Sequence, residues 1–372
     1  MSAVILALAG CASSAPQPPS SATTQTATPT PTPTADPLAG MTVEQRVGQV
    51  FMVGTTATGA EAETLSAVRD RFVGGVFLAG RSKNGTAATA AVVAQFTVLA
   101  DPARPLLVAT DQEGGQVQVL QGPGFSAMPS GLEQGAVDAA SLQTSATTWG
   151  RELASAGVNM NLAPVVDLIA SPEAAASNPP IGGFDREFGF DPAGIVAHAD
   201  AFRAGMTAGG VHSVVKHFPG LGTVTANTDD TAGVTDTTTN AQSDSVGIYR
   251  SQIASGADSV MVSSAIYALI DPNAPAMFSP TVVTGMLRGS LGFDGVIMTD
   301  DVSGATQVTA WSPADRAILA IEAGCDIVLV SRTPAVSAEM IDAVVAKAKA
   351  EPEFADLVDA AATRVLTLKG AR

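Results

Sequence analysis

Two stretches of this chain put charged groups directly after short apolar runs: Lys216-His217-Phe218-Pro219-Gly220-Leu221-Gly222 and Thr299-Asp300-Asp301. An ammonium beside an imidazole can grip hydroxyl groups, and paired carboxylates can supply a nucleophile and a proton. Three more apolar runs end in Asp111, Asp167 and Ser264. One carboxylate after an apolar run is as often a helix cap as a functional group. Five polar run-ends converging on one mouth are harder to explain as caps. Several carboxylates with one lysine and one histidine, and no metal-ligand cluster, fit sugar chemistry, where one carboxylate attacks and another group moves the proton.

The elements that must position these groups follow from the pattern of the runs. Eight short β-type runs occupy 49–53, 75–79, 106–110, 158–166, 213–215, 259–263, 295–299 and 326–330. They are continuous in Val, Ile and Leu rather than alternating, which suits strands buried on both faces. Helical stretches lie between them. Ser279-Pro280 and Ser312-Pro313 read as N-cap and first helical residue, with Gly324 closing the second of these helices. Residues 349–372 read as a final helix covering the end of the fold. Strand and helix alternating eight times predict an α/β fold, a single (β/α)8 TIM-type barrel over 38–372, with active groups at the C-terminal strand ends. An open doubly wound sheet is the alternative, and eight similar units argue against it.

The 372 residues are 46% hydrophobic with a mean hydropathy of +0.27, enough apolar material for one large core. With 35 acidic against 19 basic residues the net charge is -16, which excludes the basic face a nucleic-acid binder needs. The cysteines are Cys11 and Cys325, so no disulfide framework or zinc motif exists. Cys325 falls in a buried strand pattern and reads as a small hydrophobe. Residues 1–11 are apolar and end Leu8-Ala9-Gly10-Cys11, a lipobox-like sequence in which Cys11 would be acylated. The basic segment expected of a signal peptide is missing, and a start upstream of Met1 would supply it. Residues 12–37 are nearly all Ser, Thr, Pro, Ala and Gln and are expected to be a disordered tether. Held extended by proline, such a tether reaches on the order of 80 Å. Anchor and spacer together predict an extracytoplasmic protein, lipid-anchored to the outer face of the membrane and able to reach cell-wall polymer.

The motifs resemble glycoside hydrolase family 3, in its branch of single-domain β-N-acetylglucosaminidases, over nearly the whole of 41–372. Asp111-Gln112-Glu113-Gly114-Gly115 is similar to the family's first sugar-binding loop, with Asp111 accepting from ring hydroxyls. Arg186 corresponds to the family's sugar-holding arginine, Lys216 and His217 to its hydroxyl-bonding pair, and Asp300 to its nucleophile. Asp167 corresponds to an aspartate that orients the site. The resemblance implies a retaining exo-hydrolase of β-linked amino-sugar glycans such as peptidoglycan fragments, working as a monomer and needing no metal or organic cofactor.

Two departures matter. Gln116 and Val119 stand where the family's loop commonly carries arginines, so cationic donors are missing from that loop. The branch also carries Asp-Ser-His on a mobile loop, its histidine being the acid/base, whereas this chain reads Asn227-Thr228-Asp229, and Leu221 replaces a histidine of the glycine motif. The three histidines offer no substitute. His217 is already placed, His198 falls in a helical stretch, and His212 precedes its strand at the opposite end. Asp229, beside Asp230, is therefore the candidate acid/base, provided its pKa is raised by burial and a neighbouring carboxylate. Alternatives are another family 3 β-glycosidase such as a β-glucosidase, a phosphorylase, or a glycan-binding surface lipoprotein with weakened catalysis.

Overall fold

A computed structural model describes residues 1–15 and 36–370. The chain divides into two units, 1–35 and 36–372. Residues 1–15 form no helix or strand, and Cys11 is an exposed free thiol. Most of the expected tether, 16–35, lies outside the described residues. Among the described residues no helix is long and apolar enough to cross a membrane.

The second unit holds all eight expected strands: β1 (Phe51–Thr56), β2 (Gly75–Ala79), β3 (Leu107–Thr110), β4 (Met160–Asn161), β5 (His212–Phe218), β6 (Ser259–Val262), β7 (Val296–Thr299) and β8 (Val328–Val330). From β1 to β7 each pairs in parallel with the next in sequence, and β8 pairs with β1. A parallel bridge between Met298 and Ile327 brings β7 to the chain entering β8 and closes the barrel.

The continuity of the apolar runs has a direct cause. Inward-pointing Met52, Phe77, Leu107, Met160, Val214, Met261, Met298 and Leu329 form one buried cluster inside the barrel. Their outward neighbours, among them Val53, Val76, Val108, Val215, Val260, Ile297 and Val328, pack with the helices in a second cluster. With both faces dry, both sets of alternate positions are predominantly apolar. Val365 of the last helix, Pro352–Leu368, joins the interior cluster. Lys369 just after it donates to Gln49 Oε1 ahead of β1 at 2.8 Å, so this helix stops the N-terminal end of the barrel.

Local departures from the sequence expectations have identifiable causes. The run 158–166 pairs as a strand only at Met160–Asn161. The side chain of Asn159 takes over the pairing role, accepting from Val108 N at 2.7 Å and donating to Leu106 O at 2.9 Å. Pro164 has no N–H for the ladder, and pairing resumes only at Val165 with Lys216. The final helix begins at Pro352 rather than 349, because Glu351 is extended (φ -125°, ψ 104°), as the residue before a proline prefers to be. Ser312 caps the helix Pro313–Ala323 and Gly324 ends it at φ 107°, as its sequence predicts. Ser279 Oγ accepts from Val282 N at the start of the helix Thr281–Ser290. Cys325 is buried, and that burial pushes its thiol pKa well up, consistent with a packing role.

Candidate active site

At the C-terminal ends of the strands lies a cavity of about 480 Å³, within the usual range for small-ligand sites. Its floor is the top of the barrel interior: Phe77, Leu162, Met261 and Leu329. Its walls carry Asp111 after β3, Lys216 and His217 on β5, Asp229 on the loop after β5, Asp300 after β7, and Arg186. Six sequence candidates thus meet in one cavity. Asp167 is not part of the lining and Ser264 is fully buried, so these two act from behind the wall.

Behind the wall lies a charge network around Glu113, a residue quoted within its motif but given no role by sequence reasoning. Arg186 forks onto it, Nε to Oε2 and Nη2 to Oε1, both at 2.8 Å. The third edge of that guanidinium donates to Pro180 O at 2.7 Å. Lys216 Nζ lies 2.6 Å from Glu113 Oε1 and 2.7 Å from Asp111 Oδ1. Glu113 and Lys216 side chains are only 6% and 3% exposed, so each charge depends on its partners. Burial alone would raise the Glu113 pKa, but Arg186 and Lys216 outweigh it and hold the carboxyl well below its ordinary range. Burial likewise opposes the Lys216 ammonium, and Asp111 and Glu113 win, raising its pKa. The result is a rigid pair of cations and a carboxylate edge on Asp111 facing the cavity, suited to a sugar's hydroxyls. Removing Lys216 leaves Asp111 without its cation and Glu113 with Arg186 alone; Lys216→Ala is expected to destabilise the fold by about 3–5 kcal/mol in urea unfolding.

Asp167 orients His217. It is fully buried, its Oδ2 lies 2.7 Å from His217 Nδ1, and its Oδ1 accepts from His217 N at 3.2 Å and Leu221 N at 2.7 Å. These contacts assign the proton to Nδ1, leaving Nε2 to face Arg186 Nη2 at 3.5 Å. His217 is therefore committed to the wall. The other histidines lie elsewhere: His198 in the helix Pro192–Ala208, and His212 at the start of β5 with Asp258 2.8 Å from its Nδ1.

The adjacent aspartates after β7 have opposite fates. Asp301 is buried as a clasp. It accepts from the backbone of Ser303 and Gly304 and, across the barrel seam, of Ser331 and Arg332. Asp300 instead faces the cavity. Its backbone N is pinned to Val262 O at 3.0 Å, its Oδ1 accepts from Asp301 N at 2.8 Å, and Ser264 Oγ lies 3.5 Å from Oδ2. One carboxylate fixes the strand end and the other is presented.

The loop bearing Asn227-Thr228-Asp229 is fastened over the cavity. Thr306 N donates to Asp229 O at 3.0 Å and Gln307 N to Thr228 O at 3.1 Å, bolting it to the segment after β7. Arg332, two residues past β8, reaches Asp229 Oδ1 at 3.5 Å and Asp230 Oδ1 at 3.9 Å. The Asp229 side chain is half-buried. Burial first and then the nearby Asp300 raise its pKa to about 6, Arg332 opposes them, and Asp301 and Asp230 add smaller repulsions. Both effects invoked from the sequence therefore operate at Asp229.

The absence of cationic donors needs a correction. The loop itself lacks arginines at 116 and 119, yet the cavity wall carries Arg81 and Arg332. Arg81 Nη2 lies 2.6 Å from the carbonyl of Gln116, so a neighbouring strand end brings a guanidinium to the place where the loop has none. Both arginines sit two residues beyond the ends of β2 and β8. Sequence reasoning gave neither a role, although each is the second residue past its apolar run, Arg81 after Gly80 and Arg332 after Ser331. Among the described residues no group of His, Cys, Asp and Glu is arranged to hold a metal ion.

Known proteins share this architecture. The family described as "Glycosyl hydrolase family 3 N terminal domain" matches residues 42–368. A β-N-acetylhexosaminidase from Beutenbergia cavernae DSM 12333, solved by crystallography, is 62% identical and superposes with a TM-score of 0.88, covering 89% of this chain and 99% of that one. A family 3 β-N-acetylglucosaminidase from Paenibacillus sp. str. FPU-7 is 30% identical with a TM-score of 0.82, over 89% of this chain and 62% of that one. A β-hexosaminidase from Xylella fastidiosa (strain M23) is 34% identical over 290 residues, 76% of this chain and 83% of its own length. Barrel, strand-end cluster and sequence matches agree: this chain is a glycoside hydrolase and belongs to glycoside hydrolase family 3.

Proposed function

We propose that this enzyme is a retaining exo-β-N-acetylhexosaminidase that removes terminal β-linked N-acetylglucosamine from peptidoglycan-derived glycans. The observation that carries the reading is Asp229, a carboxyl poised to hold a proton at mildly acidic pH, in the same cavity as the presented carboxylate Asp300. The names borne by its relatives, a β-N-acetylhexosaminidase from Beutenbergia and a β-N-acetylglucosaminidase from Paenibacillus, support an N-acetylated amino sugar. Asp111, Lys216 and Arg186 hold the hydroxyls of the terminal sugar, with His217 oriented by Asp167. Asp300 attacks the anomeric carbon as Asp229 gives its proton to the departing glycosidic oxygen. The C–O bond breaks and a sugar ester forms on Asp300. Asp229, now ionised, takes a proton from water, and that water releases the sugar with retained configuration. The two carboxylates then lie about 5–5.5 Å apart in the working enzyme.

Acylation of Cys11 and the Ser/Thr/Pro-rich stretch behind it would hold the barrel outside the cell, at a reach suited to wall polymer. The test of the sugar is direct. Release of 4-nitrophenol from the β-N-acetylglucosaminide, exceeding that from the β-glucoside, is expected. Release from the β-glucoside alone would reassign the substrate, and tight glycan binding without release from either would make this a binding protein.

Arg332 follows as a positioning residue. Its guanidinium also lies 3.3 Å from Asp229 O, so it both anchors the acid/base loop and opposes the rise in the Asp229 pKa. Arg332→Gln is expected to move the alkaline limb of kcat/KM upward in pH, and Arg332→Lys to restore it. A limb that stays in place would rule this role out.

A further inference from the structure

The loop that carries Asp229 runs from Thr223 to Asp236, and its two ends return to one point, as in a compact surface loop with a closed neck. That point is the carboxylate of Asp236, a residue only 1% exposed. Thr223, where the loop begins, donates its hydroxyl to Asp236 Oδ2. From the far side, Thr238 N and Thr239 N donate to Oδ1, both at 2.7 Å, and Thr239 Oγ1 donates to Oδ2 at 2.5 Å. Among the described residues Asp236 has no ion pair, so uncharged donors alone hold this buried charge. Burial would raise its pKa, but the Thr223, Thr239 and Thr238 donors outweigh burial and keep it below the ordinary aspartate range.

Neck and tip of the loop are fastened to different parts of the barrel. At the neck, Thr235 and Asp236 pair in parallel with Ile266 and Tyr267, just past Ser264. At the tip, Gln307 N holds Thr228 O, and the Gln307 side chain brackets Val234, accepting from its N at 2.9 Å and donating to its O at 3.1 Å. The Thr223 hydroxyl joins the start of the loop directly to its end.

We infer that the Thr223–Asp236 clasp positions Asp229: closing the neck of the loop keeps that carboxyl in the cavity beside Asp300. The inference rests on the acid/base role proposed above and gives that role a support touching neither substrate nor reacting atoms. The charged groups facing Asp229 are Asp300, Asp301, Asp230 and Arg332. Burial and Asp300 raise its pKa to about 6 only while the loop is down. With the neck open both effects weaken, and the pKa falls toward the ordinary value of about 3.9. The acid form is then lost at lower pH, so the alkaline limb of kcat/KM moves down, opposite to the shift expected for Arg332→Gln.

The experiment uses the full chain with two substrates, β-1,4-linked N-acetylglucosamine disaccharide and 2,4-dinitrophenyl β-N-acetylglucosaminide. Thr223 is exposed, so Thr223→Val removes the hydroxyl without disturbing the core. It is expected to lower kcat/KM on the disaccharide by about tenfold, the scale of a hydrogen bond to a charged group, and to change the aryl substrate by less than about twofold. Its alkaline limb should fall below pH 6, and Thr223→Ser should restore both values. In an Asp229→Ala background Thr223→Val should add no further loss on the disaccharide. Thr239→Val also removes a hydroxyl from Asp236 but leaves the start of the loop tied, so it should lower the melting temperature while keeping the limb in place. Equal losses on the two substrates in Thr223→Val, an unmoved limb, a further loss in the Asp229→Ala background, or the same shift in Thr239→Val overturns the clasp and leaves Asp229 as the acid/base. Equal losses on the two substrates in Asp229→Ala itself bring down the acid/base reading, and the clasp with it.

Discussion

Asp300→Gly is expected to lower kcat on β-N-acetylglucosaminides by at least on the order of 10⁴-fold while leaving the fold intact, the scale of loss when a covalent nucleophile is removed. The structural reason for separating chemistry from stability is the division of labour after β7. The clasp across the barrel seam is made by Asp301, whereas the Asp300 side chain accepts only from Asp301 N and lies 3.5 Å from Ser264 Oγ. Asp301→Asn is accordingly expected to cost stability, because its carboxylate gathers backbone donors from Ser303, Gly304, Ser331 and Arg332. A small external nucleophile separates the mechanisms further. Azide added to Asp300→Gly should fill the vacated space and restore release from an activated aryl glycoside as the α-glycosyl azide. Restoration with the β-azide, or an Asp300 variant retaining wild-type kcat, would exclude the covalent role.

The second large effect concerns Asp229. Protonation of the leaving oxygen matters in proportion to how poor the leaving group is, so Asp229→Ala should lower turnover of natural disaccharides by roughly 10²–10⁴-fold. A 4-nitrophenolate or 2,4-dinitrophenolate leaves without help, so formation of the sugar ester from those substrates should be affected far less. The pH dependence has a defined sign. With the Asp229 pKa raised to about 6, its acid form is lost as pH rises through 6. Unmodified enzyme should therefore show an alkaline limb in kcat/KM near pH 6 for natural glycosides, and Asp229→Ala should lack it. Equal losses on natural and activated substrates would remove Asp229 from the acid/base role. Its raised pKa has a cost in exposure: the side chain is 47% accessible and meets Arg332, so it remains ionised above pH 6. Mildly acidic conditions are where the enzyme should work best.

The barrel and most of its site were legible before any coordinates, for reasons that lie in local chemistry. Strands buried on both faces are largely apolar throughout, so all eight announced themselves, and the polar residues after five of them marked the mouth. Asp111, Lys216, His217, Asp300 and Asp229 were found in this way or through the motifs around them, and the cavity unites them. Where a side chain took over a backbone role the reading blurred. Asn159 and Pro164 shortened β4 because one replaces ladder bonds and the other cannot make them.

What the sequence by itself determined is therefore the set of elements and the identity of the groups at their ends, since burial and chain direction act residue by residue. What only the tertiary structure decided is how those groups divide their work. Neighbours in sequence, Asp300 and Asp301, point to different tasks because the barrel seam lies on one side of them and the cavity on the other. Glu113 became the centre of the charge network behind the wall, and Arg81 came to stand against Gln116, because closing a barrel brings distant strand ends within hydrogen-bond reach. The raised pKa of Asp229 has the same origin: burial and the field of Asp300, 71 positions away in sequence, exist only once the barrel is closed.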